Sequence, residues 1–157
     1  MSIAVMFSIN KPHTDNIKAG LKTSELSIRP PKISGTYKAY IYETLKNGGC
    51  GAVIGEFTAY NENRWRICVG VPAHLCILAC VSADEIRKYS RNGLKDITEI
   101  SISDLVIYDK PKELSEFHRP CTPACNYSEE CGGANATDCL FGINKAPQAW
   151  CYVEVVA

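Results

Sequence analysis

The order of apolar and polar positions along the chain marks out several short strands and fewer helices. Ile3 to Ile9 is apolar apart from Ser8 and reads as a first strand. Pro12 suits a first helical turn and Gly20 the residue just past a helix end, which predicts a short helix over 12–19. From Lys22 to Arg29 the pattern alternates, with Leu26 and Ile28 on one face and Glu25, Ser27 and Arg29 on the other, as in a half-buried strand. Lys38 to Thr44 and Gly51 to Tyr60 are rich in Tyr, Ile and Val and flank the turn signal Asn47-Gly48-Gly49, so they predict a hairpin. Ser82-Ala83-Asp84-Glu85 has the spacing of a capping box, in which hydroxyl and carboxylate each satisfy a backbone N–H. A helix from 83 to about 91, ending near Gly93, follows from it. Ile97 to Tyr108 and Trp150 to Val156 read as further strands. The run from Arg64 to Val81 is so apolar that periodicity does not separate helix from strand there.

Five or six short strands and two or three helices without regular alternation predict an α+β class, mostly β. The architecture expected is a compact mixed sheet or small open barrel. With 157 residues, one domain spanning 1–157 is expected. Apolar residues make up 46% and charged residues 22%, which fits a folded chain and excludes a disordered or fibrous one. Seventeen basic side chains balance seventeen acidic ones, so no global field holds a polyanion without selectivity. The balance is uneven: residues 1–50 carry seven Lys or Arg against three Asp or Glu. An anion site is therefore expected to draw on the first third. The longest apolar run, Ile67 to Val81, contains Pro72 and His74 and falls short of the roughly 20 residues of a membrane span. Met1 to Ile9 lacks a basic leader and a small-residue cleavage site, so it does not read as a signal peptide, and a cytoplasmic location without membrane partners is expected.

The densest chemistry lies in Ser8-Ile9-Asn10-Lys11-Pro12 followed by Gly20-Leu21-Lys22-Thr23-Ser24-Glu25-Leu26-Ser27-Ile28-Arg29. A strand, a helix and a second strand here bring two lysines and a carboxylate close in sequence. The stretch resembles the ASCH family, a branch of the PUA-like superfamily, whose signature GxKxxExR follows a first strand and helix. Gly20, Lys22 and Glu25 match it, and the Arg position is occupied by Ser27. Arg29 stands two residues further on, displaced by about 6.6 Å along a strand. The resemblance continues through Tyr40-Ile41-Tyr42, Val53-Ile54-Gly55-Glu56-Phe57, Ile107-Tyr108-Asp109-Lys110-Pro111 and Ala146-Pro147-Gln148-Ala149-Trp150-Cys151-Tyr152.

That resemblance implies a PUA-like small mixed open barrel and binding of RNA or a modified nucleotide in a cleft lined by Lys11, Lys22, Glu25 and Arg29. A carboxylate beside ammonium groups suits hydrogen bonding to a base edge or ribose while the cations take phosphate. Trp150 is the aromatic side chain expected to stack on a base. Lys22→Ala is then expected to weaken binding with little effect on thermal stability. Two alternatives stand beside this reading. Some small ASCH proteins are similar to amidohydrolases acting on acetylated cytidine, which implies a hydrolase with Lys22 and Glu25 as catalytic groups. Those enzymes use Thr where this chain has Glu25, and a mixed anhydride on a carboxylate is a high-energy intermediate, so here the pair would have to activate a water. The third reading is a protein-interaction accessory.

The surface for such an accessory would be the Cys-rich insertion expected at 119–146, before the last strand. Of nine cysteines, Cys50, Cys68, Cys76 and Cys80 lie in or beside apolar stretches and read as small core hydrophobes, and Cys151 in the last strand reads likewise. Cys121, Cys125, Cys131 and Cys139 fall instead in a segment rich in Gly, Asn, Pro and Thr, with few apolar anchors. Four thiolates suit a closed structural zinc site, with His118 a substitute ligand; free or redox-paired thiols and an iron–sulfur cluster are the alternatives. Elemental analysis of the purified protein is expected to find about one zinc per chain, lost on Cys125→Ser. Metal-free protein with all thiols titratable excludes the zinc site.

Overall fold

The structure is a computed structural model that describes residues 3–120 and 142–156. Among the described residues, six strands and three α-helices follow one another as β1 (Ile3–Ile9), α1 (His13–Lys18), β2 (Ser24–Ser27), β3 (Tyr37–Glu43), β4 (Ala52–Trp65), α2 (Ala73–Ala79), α3 (Ala83–Tyr89), β5 (Ile97–Lys112) and β6 (Trp150–Glu154). The strands form one sheet in the order β2-β5-β4-β3-β1-β6. The α+β, mostly β class expected from the sequence is the class observed. The chain divides into two compact units, one of Met1–Lys11, Tyr37–Glu56 and Val106–Ala157, the other of Pro12–Thr36 and Phe57–Leu105.

The first unit is built on β1. It pairs in parallel with β3, from Val5 opposite Ala39 to Ile9 opposite Glu43, and antiparallel with β6, from Ile3 opposite Glu154 to Phe7 opposite Trp150. A strand flanked on both edges and covered on both faces reads as a continuous apolar run, which is why Ala4, Val5, Met6 and Phe7 are all buried. Ala4, Met6, Tyr40, Tyr42, Val53, Phe117, Ile143 and Val153 form its core. Within it the Tyr40 ring meets Phe117 edge-on at 4.9 Å, and the Tyr40 hydroxyl oxygen accepts a hydrogen bond from Val156 N at 2.9 Å. His118 forms a backbone bridge with Gly142, and Ile143 N donates to Phe117 O, so the chain segments on either side of 119–141 lie side by side.

The second unit encloses Ile67, Leu75, Ile86 and Ile97, with Leu26, Ile28, Trp65, Val71, Cys76 and Val81 packed around them. Its β2 runs antiparallel to β5, with Glu25 opposite Ile100. The run that periodicity left open resolves into three pieces. β4 continues to Trp65, a 3₁₀ turn covers Ile67–Val69, and α2 starts after Pro72, which has no N–H to lose at a helix start. Cys80, in the left-handed conformation at φ 55°, ends α2. The capping box before α3 is present with both of its hydrogen bonds. Among the described residues no helix is long and apolar enough to cross a membrane.

The cysteines depart from expectation. Cys50 and Cys68 are exposed, and Cys76, Cys80 and Cys151 are only partly buried. Leu75 and Ala79, four apart, take the buried stripe of α2, which leaves the neighbouring positions 76 and 80 at its rim.

A polar network in the first unit links three strands. The Tyr108 hydroxyl donates to Glu56 Oε2 at 2.7 Å, Lys38 Nζ lies 3.2 Å from Glu56 Oε1, and Lys112 Nζ sits 4.9 Å from the Tyr108 ring centre. Burial alone would push the Glu56 carboxyl up, but the hydrogen bonds from Tyr108 and Lys38, with the charges of Lys38 and Lys112, outweigh it and hold the group below its usual value. A carboxyl lowered in the folded state stabilises the fold above its unfolded pKa and loses that contribution as pH falls through the lowered one. Urea unfolding of wild type and Glu56→Gln is expected to show a stability gap at about pH 7 that closes toward about pH 3. A gap independent of pH contradicts the network.

Candidate nucleotide-binding site

The local path of the chain explains where the signature residues go. After α1, Leu21 N and Lys22 N both donate to Asn16 O, and Thr23 N donates to Leu78 O, which lays residues 21–23 against the end of α2. Thr23 is exposed, so Lys22 turns inward and is 3% exposed. Its Nζ donates to Ala79 O at 2.9 Å, one of the last carbonyls of α2 that has no partner within the helix. The same ammonium lies 3.8 Å from Glu25 Oε1. Glu25 stands in β2 next to buried Ser24, and its side chain keeps 19% of its surface in solvent. Oε1 also accepts from Leu26 N at 2.9 Å, whereas Oε2 takes no hydrogen bond among the described residues. The carboxylate is thus held through Oε1 while its side chain stays partly in solvent.

Arg29 does not take the place of Ser27. β2 ends at Ser27, which is buried, while Arg29 follows in a bend and is exposed. The regular alternation expected over 22–29 stops with the strand, and Ser27 Oγ instead accepts from Arg29 N at 3.2 Å.

Lys11 and Trp150 belong to the first unit. Lys11 follows shortly after β1 and its carbonyl accepts from Asn47 Nδ2 at 2.8 Å, while Thr44 Oγ1 donates to Asn10 Oδ1. Trp150 opens β6 and meets Tyr152 edge-on at 5.0 Å. The Pro147-Gln148-Ala149 stretch before it is tied to β1 through Ser8, whose hydroxyl donates to Pro147 O at 2.6 Å and whose N–H donates to Ala149 O at 2.9 Å. Lys22 and Glu25 are therefore brought together; Arg29 follows them on the same unit, and Lys11 and Trp150 belong to the other.

Two buried carboxylates escaped the sequence. Glu43, 2% exposed at the end of β3, accepts from Cys50 N at 3.0 Å, and Glu99, 5% exposed, accepts from Trp65 Nε1 at 3.3 Å. A charge closing an apolar strand reads as a step into solvent, but Glu43 remains paired opposite Ile9. The first unit also contains an open cavity of about 620 Å³ lined by Arg119, Ile143, Lys145, Ala146, Pro147, Gln148 and Cys151. Burial pushes the Cys151 thiol up there, against the opposing effect of Arg119.

Cys121, Cys125, Cys131 and Cys139 lie outside the described residues. Among the described residues no group of three or more His, Cys, Asp or Glu side chains is placed to hold a metal. The Nδ1 atom of His118 is buried and has no hydrogen-bond partner among them.

Burial reverses the stability expectation for Lys22. Removing its ammonium leaves Ala79 O unpaired in the interior and Glu25 without its cation. Lys22→Met, which keeps the side-chain volume, is expected to lower unfolding stability by about 2 kcal/mol in urea. Unchanged stability overturns the bracing role.

No family model matches the chain, and a search of curated proteins found no match. Solved structures do match. One point mutant of ZmASCH from Zymomonas mobilis superposes with a TM-score of 0.60 at 20% identity, over 96% of this chain and 88% of that one. A second point mutant of the same protein gives 0.59 at 19% identity, over 96% and 90%, and ASCH from the same organism gives 0.54 at 19%, over 96% and 87%. The resemblance first seen in Gly20, Lys22 and Glu25 thus extends to the backbone: the chain has the fold of an ASCH domain.

Proposed function

We propose that the chain is an ASCH protein that binds RNA or a modified nucleotide through Glu25. The observation that carries the reading is a carboxylate held on one side: Oε1 accepts from Leu26 N and lies 3.8 Å from the Lys22 ammonium, and Oε2 has no hydrogen-bond partner among the described residues and can accept from a guest. An ionised carboxylate of this kind takes hydrogen bonds from the amino and imino groups of a base edge or from a ribose hydroxyl. Lys22, being buried, serves as the support that holds Glu25 in place, and not as a phosphate ligand. The phosphate role falls to exposed Arg29. Lys11 and Trp150 belong to the first unit and have no assigned part in the Glu25 site.

Affinities of the wild type and Glu25→Gln for nucleoside monophosphates and for a mixed-sequence single-stranded RNA test the proposal, measured well below the melting temperature of both. Loss of a charge-assisted hydrogen bond is expected to weaken binding by about tenfold or more. Equal affinity of the two folded proteins for every probe overturns it.

A further inference from the structure

The second unit contains a cationic surface that Glu25 and its neighbours do not use. Ten Lys and Arg side chains belong to this unit. Lys22, Arg64 and Arg87 are ion-paired with Glu25, Asp96 and Asp84, and Lys18, Arg29 and Lys32 also engage partners. Arg66, Lys88, Arg91 and Lys95 are exposed, and none of them forms an ion pair among the described residues. These four occupy two stretches that meet. A Cβ built on Gly93 would stand 2.9 Å from the Cα of Cys68, so the turn after α3 packs backbone to backbone against the 3₁₀ turn that begins after Arg66.

That turn has a fixed shape. Arg91, Asn92 and Gly93 follow one another at φ 56°, 57° and 85°. Ser90 holds them, its hydroxyl donating to Arg87 O and accepting from Gly93 N, and its carbonyl accepting from Lys95 N. From Ile86 to Lys95 the chain contains four cations and no acid, in a protein with no net charge. Lys88 has a local use, since a cation in the last turn complements the helix dipole. Arg66, Arg91 and Lys95 lie outside any α-helix and have none. Val69 and Leu94, 81% and 82% exposed, stand among these cations.

We propose that residues 66–69 and 87–95 form a docking surface for the phosphate backbone of single-stranded RNA, separate from Glu25. Unpaired cations on a preformed turn contact successive phosphates without first breaking internal ion pairs, and two guanidinium groups suit phosphate geometry. The isolated aliphatic side chains Val69 and Leu94 fit the faces of unstacked bases. A membrane-surface element, by contrast, lays an apolar stripe of a long helix into lipid, and α3 has only seven residues.

The test compares wild type, Arg91→Gln/Lys95→Gln and Arg91→Glu/Lys95→Glu, with circular dichroism melting to confirm that each folds. Binding of an oligouridine RNA is measured across a series of salt concentrations. Neutralising two phosphate contacts is expected to reduce the slope of log affinity against log salt by about 1.4, and the charge reversal is expected to weaken binding further. Binding of uridine monophosphate is expected to stay unchanged in both variants. A Glu25→Gln arm separates this surface from the proposed base site, since its failure to alter binding leaves the salt-slope result standing. An unchanged slope in the double Gln variant overturns the proposal. So does a loss confined to phosphatidylserine-containing vesicles with RNA binding intact, which assigns the surface to a membrane.

Discussion

The buried Lys22 ammonium is the interaction on which the second unit depends. One group satisfies an orphan carbonyl at the end of α2 and neutralises a carboxylate of β2. An unpaired charge at 3% exposure is costly, so the ammonium is tolerated only because both partners are present. The same requirement fixes the path of residues 21–23 across the helix end, since the lysine reaches Ala79 O only from there. Structure and proposed chemistry are therefore joined in one contact: what braces the helix also orients Glu25.

The first unit solves a different problem. Its centre is a strand with neighbours on both edges, and several of its polar groups form satisfied sets. Tyr108, Glu56 and Lys38 form one such set, and Tyr40 with Val156 another. Glu43 is held by Cys50 N at the carboxyl end of the parallel pair β1–β3. It is a buried acid that neither turn chemistry nor alternation required.

The sequence disclosed whatever is governed by local chemistry. The span of β1, the capping box before α3 and the turn between β3 and β4 were all legible, because residue type and spacing determine them within a few positions. The limits appeared where tertiary partners decide. Lys22 looked like a solvent-facing ligand because its acceptor, Ala79 O, lies 57 residues away. Cys68, Cys76 and Cys80 looked like core because the run around them is apolar, yet Leu75 and Ala79 occupy the inward stripe. Arg29 looked co-facial with Ser27 because alternation was extended past the last paired residue of β2. In each case the missing information was the position of a distant segment. The fold was read correctly from motif order, since four motifs in sequence constrain topology even when individual side chains are placed wrongly.

The pairing of Ile3 with Glu154 joins β1 to β6. During synthesis β1 leaves the ribosome before every other strand of the sheet, yet it lacks one of its two neighbours until β6 has been made. Until then its backbone donors and acceptors on that side form an open edge of apolar sequence, the kind of edge that recruits strands from other molecules. β6 therefore acts as an edge protector, and a ribosome that stalls before reaching it releases a product prone to self-association.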